Sequence, residues 1–301
     1  MIFSKMNTDE KKAYLDLHIA TVFFGLTAIL GAKITLTAVV LVWWRVVIAG
    51  IGMAVLLKLK SAFKKISKRE LKTFLFIGFV VALHWIFFYH SIKISNPSIA
   101  LMCFATTSLF TSLIEPVILK KKFQWLDVLL GLMVIPIFGF VTNNLSDKYF
   151  LGVIVGLASA LLASIFGILN KKYLKNHDPV LVSFWEMVSA AIIISIYLPF
   201  YLHKNINLPF WPSGVSDWFY LLILALGCTT FAYILALRAL KVVSAFNANL
   251  IISLEPVYGI ILAAILLKDY EMLNVDFYIG CTILLLLVLS YPILKRRFYV
   301  R

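Results

Sequence analysis

The fold is decided by two stretches, KISNPSIALMCFATTS at 93–108 and KVVSAFNANLIISLEP at 241–256. They align without gaps at an offset of 148 residues. The likeness extends upstream in the same order, because HWIFFYHSIK at 84–93 aligns with AYILALRALK at 232–241. The two halves of the chain are therefore predicted to be copies of one structural unit.

The composition is strongly apolar. Of 301 residues, 62% are hydrophobic and only 14% are charged, and the mean hydropathy is +0.97. A soluble domain is about half apolar and about a quarter charged. These values exclude an ordinary cytosolic enzyme, a disordered chain and a nucleic-acid-binding module. We therefore expect a lipid bilayer around the chain and no nucleic acid among its partners.

Ten stretches are long and apolar enough to cross a bilayer, for which about 20 residues are needed. Numbered as spans one to ten, they cover roughly 16–34, 36–57, 73–92, 98–119, 125–142, 150–170, 179–201, 217–237, 244–267 and 275–294. We predict an all-α integral membrane protein with ten transmembrane helices. Its expected units are a cytoplasmic N-terminal segment at 1–15, five-helix repeats at 16–145 and 146–295, and a cytoplasmic tail at 296–301.

The basic residues orient these spans. The formal charge is +14, from 28 Lys and Arg against 14 Asp and Glu. With the N-terminus in the cytoplasm, 22 of the 28 fall in cytoplasmic segments, 5 fall outside, and Arg45 alone lies within a span. Because Lys and Arg collect in cytoplasmic loops, both termini are predicted to be cytoplasmic. No small-residue cleavage site follows span one, so we expect no cleaved signal peptide.

The number of spans in each repeat decides how the copies are related. Five is odd, so the second copy inserts upside down relative to the first. Such inverted-topology repeats are typical of secondary transporters, which bind substrate near the bilayer midplane between the two halves.

The end of the second repeat, SLEPVYGIILAAILLKD at 253–269, has a mid-helix proline, a run of small and aliphatic residues, and an acidic residue before the last span. Together with the 5+5 repeat, this pattern resembles the EamA type of the drug/metabolite transporter superfamily, which Pro256 and Asp269 match. The first repeat departs from the pattern. Ser108 stands where the family often has proline, and Lys120–Lys122 replace the acidic residue.

The resemblance implies transport without naming the cargo, since families of this kind move amino acids, other metabolites, sugars, nucleotide sugars or drugs. It implies that spans one, three, four, six, eight and nine line a central cavity and that spans two and seven flank the gates. Spans five and ten would lie at the periphery, where a homodimer could form. Arg45 in span two matches a basic position common in the family's first repeat.

Arg45 and Glu186 occupy corresponding places in the two repeats, because WWRVV at 43–47 resembles FWEMV at 184–188. At about 1.5 Å per residue, both lie near the midplane. An ionisable group there costs about 2.5–3.5 kcal/mol on insertion scales, so it needs a partner or a water-filled cavity. We hypothesise that the two form a charge pair or complementary poles facing the cavity. The alternative is two unrelated groups, each satisfied by backbone carbonyls or interhelical hydrogen bonds.

Glu255 is the deepest carboxylate of the chain and directly precedes Pro256. Proline leaves a carbonyl free one turn earlier, and transporters use such broken helices at binding sites. Because burial disfavours a charged carboxylate, Glu255 and Glu186 are candidate proton-coupling groups. The alternative for Glu255 is a neutral, hydrogen-bonded side chain in a kink.

His84 lies in the middle of span three, where an imidazole could shuttle protons or bind substrate. A histidine hydrogen-bonded between helices is the other interpretation. His84 and His90 are six residues apart and do not share a helix face, so no metal site is expected. Glu115 lies close to Lys120–Lys122 and is expected to pair with them at the inner interface.

Small polar and aromatic residues complete the candidate cavity. The small polar candidates are Thr106, Thr107, Ser108, Thr229, Thr230, Asn247 and Asn249, and the aromatic candidates are Trp85, Tyr233 and Tyr258. Hydrogen bonding between helices explains the polar group as well, and lipid-facing packing explains the aromatic group.

Secondary transport is the function that these features favour. The loop acids are scattered and no nucleophile–base spacing occurs, so no enzyme and no cofactor are expected. A structural protein would need no midplane charges. No nucleotide-binding loop is present. We expect export of a small metabolite such as an amino acid across a bacterial cytoplasmic (inner) membrane; the alternative is a multidrug-type exporter of cationic or aromatic compounds.

Overall fold

The computed structural model describes residues 7–59, 66–142, 150–174 and 177–267, together with scattered single residues outside these ranges. Within these ranges the chain is helical and has no strand. The α-helices there are α1 (Thr8–Lys33), α2 (Ala38–Leu59), α3 (Lys68–Ile94), α4 (Pro97–Ala105), α5 (Thr107–Leu119), α6 (Trp125–Thr142), α7 (Phe150–Tyr173), α8 (Pro179–Lys204), α9 (Gly214–Leu222), α10 (Ala232–Leu240), α11 (Ala245–Ile252) and α12 (Glu255–Leu267). A π-helical segment, Ile223–Phe231, joins α9 to α10.

Seven helical stretches of this part of the chain are long and apolar enough to cross a membrane, and they correspond to spans one to four and six to eight. Span five is the 18-residue helix α6. Span nine is the pair α11 and α12, neither of which is long enough alone. Span ten, predicted at 275–294, falls where the structure describes only single residues.

Helix starts follow local sequence signals. Asn96 and Asp178 each cap a helix that begins with proline, and their side chains accept backbone N–H bonds from the first turn. Ser244 caps α11 in the same way by accepting a bond from Asn247 N. Such caps satisfy N–H groups that have no partner inside the helix.

Spans four and nine are both interrupted, at positions that the 148-residue offset makes equivalent. In span four, α4 ends at Ala105 and α5 begins at Thr107. In span nine, α11 ends at Ile252 and α12 begins at Glu255. The breaks meet, because Ser253 Oγ donates a 3.2 Å hydrogen bond to the carbonyl of Ala105, its own counterpart in the first repeat.

The contacts on either side of this meeting point are also equivalent. Asn249 Nδ2 donates to Thr111 Oγ1 at 2.8 Å. The repeat counterparts of these two residues are Leu101 and Gly259, and a Cβ added to Gly259 would lie 3.0 Å from Leu101 Cδ1. The two broken spans therefore make the same contact twice, as expected where two copies of a unit meet about a two-fold axis.

Two glycines allow the close helix approaches that position the buried carboxylates. A Cβ at Gly25 of α1 would lie 2.8 Å from Gly259 N and 3.1 Å from the Glu255 carbonyl. A Cβ at Gly78 of α3 would collide with the Glu186 carbonyl of α8. Larger residues there would push α1 away from α12 and α3 away from α8, because packed interiors tolerate little extra volume.

Candidate functional site

A cavity of about 70 Å³ lies inside the helix bundle. This volume holds a few water molecules or a small polar group. Six residues singled out from the sequence line it: Arg45, His84, Trp85, Tyr233, Asn249 and Glu255. Apolar rings, among them Phe24, Phe88, Phe104 and Phe166, form much of the remaining wall. These six predicted residues therefore meet at one aromatic-walled cavity.

Arg45 is fixed in the cavity wall by three neighbours. Its side chain is buried, with 2% of its surface exposed. Nε donates to Thr229 Oγ1 at 2.6 Å, and Nη1 donates to Tyr89 OH at 2.7 Å. The guanidinium carbon lies 4.1 Å from the centroid of the Trp85 ring, which is within the range of a cation–π contact. The cavity therefore has a permanent positive pole.

Glu255 gives the same cavity a carboxyl group. It is 3% exposed and is the first residue of α12, where the helix dipole favours negative charge. Its carboxyl interacts electrostatically with Arg45. Among the described residues no ion pair within 4.0 Å joins the two. A positive and an acidic group thus line one cavity without neutralising each other by direct contact.

Glu186 lies behind the cavity wall and is fully buried. Tyr233 OH donates to Glu186 Oε2 at 2.6 Å, and Asn170 Nδ2 donates to the same Tyr233 oxygen at 3.2 Å. In the part of the chain that the structure describes, Glu186 makes no ion pair with Arg45. The two residues have separate partners, and Glu186 reaches the cavity through Tyr233.

The π-helical segment positions the threonine that binds Arg45. Thr229 Oγ1 and Thr230 Oγ1 donate to the carbonyls of Leu224 and Ala225, five residues earlier, at 2.8 and 3.1 Å. π-Helical turns often occur at functional sites. This segment is not among the features predicted from the sequence, although two consecutive threonines, whose hydroxyls can bond to the preceding backbone, are a signal for it.

His84 is hydrogen-bonded between two helices and also lines the cavity. Its Nδ1 lies 3.0 Å from the Ser159 carbonyl and 2.9 Å from Ser159 Oγ, so it is hydrogen-bonded between α3 and α7. The ring also lines the cavity, between Phe104 and Phe166, whose centroids are 5.4 and 5.3 Å away. A ring so enclosed shapes the cavity whether or not it carries a proton.

Several predicted polar residues bond to the backbone of their own span and do not line the cavity. Thr106 and Thr107 donate to the carbonyls of Cys103 and Phe104, both at 2.6 Å, and so hold the break in span four. Tyr89 binds Arg45 but is not among the residues predicted from the sequence. Its signal is its position four residues after Trp85, on the same helix face.

The end of the bundle at which α1 begins, here called the near end, is closed by contacts between the two halves. Arg238 of α10 makes a bidentate ion pair with buried Asp16 of α1, with both N–O distances 2.6 Å. Two predicted residues lie beside this pair. Asn247 Nδ2 donates to Tyr14 OH at 3.4 Å, and Tyr258 OH lies 3.0 Å from His18 Nδ1.

Glu115 adds a further link at the near end. Its Oε1 lies 3.1 Å from Lys121 Nζ, which confirms the expected pairing with the lysine cluster. Its Oε2 accepts the backbone N–H of Phe246 at 2.8 Å, in the first turn of α11. One carboxylate therefore joins span four of the first half to span nine of the second.

The opposite end, here called the far end, is closed by a separate contact between the halves. Asp217 of α9 accepts hydrogen bonds from Thr35 Oγ1 at 2.5 Å and from Thr35 N at 3.2 Å. Lys93 Nζ donates to the neighbouring carbonyl of Ile34 at 2.5 Å. The cavity lies between the near-end and far-end contacts.

Comparisons with known proteins agree with this architecture. A crystal structure of another protein superposes on the chain with a TM-score of 0.74 at 14% identity, covering 96% of this chain and 99% of that chain. At that identity the likeness concerns the fold alone. No curated protein matches the chain. The model of the EamA-like transporter family matches residues 11–142 and 150–298, one match in each half.

Proposed function

This chain belongs to the EamA-like transporter family and is an integral membrane transporter of the drug/metabolite type, and from that premise we propose that it exports a small metabolite such as an amino acid. The transport is secondary and proceeds by alternating access through the central cavity. The observation that supports this best is the joint presence of Arg45 and Glu255 in one cavity wall. A cation and a carboxyl group on the same cavity suit the two ends of a zwitterion.

A second candidate is a multidrug-type exporter of cationic or aromatic compounds. The observation that favours it is the aromatic wall formed by Trp85, Phe88, Phe104 and Phe166. Aromatic faces bind flat and cationic solutes. The buried guanidinium of Arg45 counts against it, because a fixed positive charge repels a cation.

The proposed topology has ten spans in a 5+5 inverted repeat, with both termini in the cytoplasm of a bacterial cell and the chain in its inner membrane. The repeats are taken as 16–145 and 146–295. The near end then faces the cytoplasm, and the far end faces the outside. A homodimer would form through the peripheral spans five and ten. The breaks in spans four and nine lie where the halves meet, as in other transporters with discontinuous helices.

A counterflow screen in proteoliposomes tests the proposed function. Vesicles are loaded with a pool of unlabelled amino acids, sugars or cationic dyes, and entry of a labelled member of each pool is followed. We expect the amino-acid pool to support uptake above that of empty vesicles. Uptake of cationic dyes alone would support the multidrug alternative, and no counterflow with any pool would contradict both.

The near-end ion pair is expected to act as the inner gate. Arg238→Gln leaves the buried carboxylate of Asp16 without its bidentate partner, and an unpaired buried charge is costly. We expect Arg238→Gln to slow transport by roughly 10-fold, because a charge-assisted hydrogen bond contributes about 1.5–3 kcal/mol. The double variant Asp16→Asn with Arg238→Gln removes both charges and should transport faster than Arg238→Gln alone. Equal rates for the two variants would contradict a gating pair.

A further inference from the structure

Three buried polar atoms beside the cavity have no hydrogen-bond partner among the described residues. They are Glu186 Oε1, Asn170 Oδ1 and Ser183 Oγ. All three side chains are fully buried. Asn170 adjoins the Glu186 carboxyl, and Ser183 lies one helical turn before it on α8. Asn170 Oδ1 and an ionised Glu186 Oε1 can only accept hydrogen bonds, and the Ser183 hydroxyl can donate to one of them, so the group is one donor short.

No cation supplies that donor. The charged and titratable side chains on the helices packed against this part of α8 have other described partners: Arg45 with Thr229 and Tyr89, His84 with Ser159, Arg238 with Asp16, and Lys171 with the Leu240 carbonyl. Tyr233 is the exception, and it donates to Oε2 only. An ionised carboxylate in this place would have only neutral partners, the Tyr233 hydroxyl and the Asn170 amide, and no counter-charge in contact, which is unfavourable for a buried charge.

We propose that Glu186 carries a proton on Oε1 and forms a proton-binding site separate from the cavity. The proton turns Oε1 into a donor, for which Asn170 Oδ1 and Ser183 Oγ are the unpaired acceptors. The carbonyl-type oxygen Oε2 still accepts the bond from Tyr233. A metal ion fits less well, since it would need more oxygen ligands than the three unpaired atoms provide.

Tyr233 joins this proton site to the substrate cavity. Its ring lines the cavity, while its hydroxyl bonds to Glu186. A ligand that draws the hydroxyl away removes a hydrogen bond from the carboxyl group and so changes its affinity for the proton. Ligand binding can thereby shift proton binding at Glu186, a role distinct from the exchange of the transported proton that is proposed for Glu255. This coupling rests on the proposed transport function, but the presence of the proton does not.

Infrared spectroscopy of the purified protein in lipid tests the proton directly. At pH 7 a protonated carboxyl group shows a carbonyl stretch that an ionised carboxylate lacks. We expect Glu186→Gln to remove one such band. Glu115→Gln is the matched control and should leave the band unchanged, because Glu115 is paired with Lys121. A Glu186→Gln spectrum identical to the wild type in this region would overturn the proposal.

A second variant keeps the proposal testable if Glu186→Gln does not fold. Tyr233→Phe removes the hydroxyl that bonds Oε2, so the band should remain and move to the higher frequency of a carbonyl with fewer hydrogen bonds. An unmoved band would contradict the assignment to Glu186. Neither measurement uses transport. A negative counterflow screen with the Glu186 band present would therefore reject the transport function alone. Counterflow by a protein whose spectrum lacks the Glu186 band would reject the proton site alone.

Discussion

Replacing Arg45 with alanine will reduce the initial rate of counterflow by roughly 10- to 100-fold. The substitution removes two hydrogen bonds from a charged donor, and the loss of one such bond, about 1.5–3 kcal/mol, is enough for a reduction of this size. It leaves Thr229 and Tyr89 without that partner and takes the positive pole out of the cavity. Glu255 then lacks the opposite charge with which it interacts. The measurement is uptake per milligram of reconstituted protein.

Two further variants separate the role of Arg45 in binding from general damage. Arg69→Ala removes an exposed arginine at the start of α3 and should transport at the wild-type rate. Arg45→Lys retains the charge but loses the planar fork that bonds two partners, so its rate should fall between those of the wild type and Arg45→Ala. An Arg45→Ala protein that reconstitutes normally and transports at the wild-type rate would contradict a role in the cavity.

Replacing Glu255 with glutamine is expected to uncouple transport from the proton gradient while retaining counterflow at a reduced rate, because the amide oxygen can still accept a hydrogen bond from an ammonium group but carries no charge. The amide has nearly the same shape but cannot exchange a proton. If one proton moves per substrate, a gradient of one pH unit drives about a tenfold concentration ratio, or about 1.36 kcal/mol. The wild type should approach that ratio across vesicles with an imposed pH gradient. Glu255→Gln should show no effect of the gradient.

The control for Glu255 is Glu10→Gln. Glu10 belongs to the capping box at the start of α1, and glutamine serves there as well, so the gradient should drive this variant as it drives the wild type. A Glu255→Gln protein whose transport keeps the wild-type pH dependence would exclude Glu255 as the coupling group. The coupling role would then fall to Glu186.

Much of the site could be predicted because burial in a bilayer makes polar residues conspicuous. Arg45, Glu186 and Glu255 stood out as charges that the loops could not account for, and all three are buried. Trp85 and Tyr233 were found as aromatic residues in lining spans, and both line the cavity. Composition and hydropathy are sufficient to find the buried charges, because an unpaired charge in hydrocarbon is costly wherever it lies. The spans that line the cavity were implied by the resemblance to the EamA type.

The partners of these residues could not be predicted in the same way. Arg45 and Glu186 are at corresponding positions in the repeats, yet each contacts a tyrosine from another helix. Thr229 reaches Arg45 from a π-helical segment, whose extra residue per turn changes which side chains share a face. A sequence pattern predicts which face of an ideal helix a side chain lies on. It does not predict which residues of a neighbouring helix that side chain contacts.

The sequence by itself determined that this chain is a helical membrane protein built from two copies of one unit, and it identified the midplane residues worth testing. These properties follow from composition, from hydropathy and from an offset of 148 residues. Only the tertiary structure decided that Arg45 and Glu255 share a cavity while Glu186 lies behind Tyr233. The reason is that helix rotation and close approach, permitted at Gly25 and Gly78, depend on contacts between distant segments.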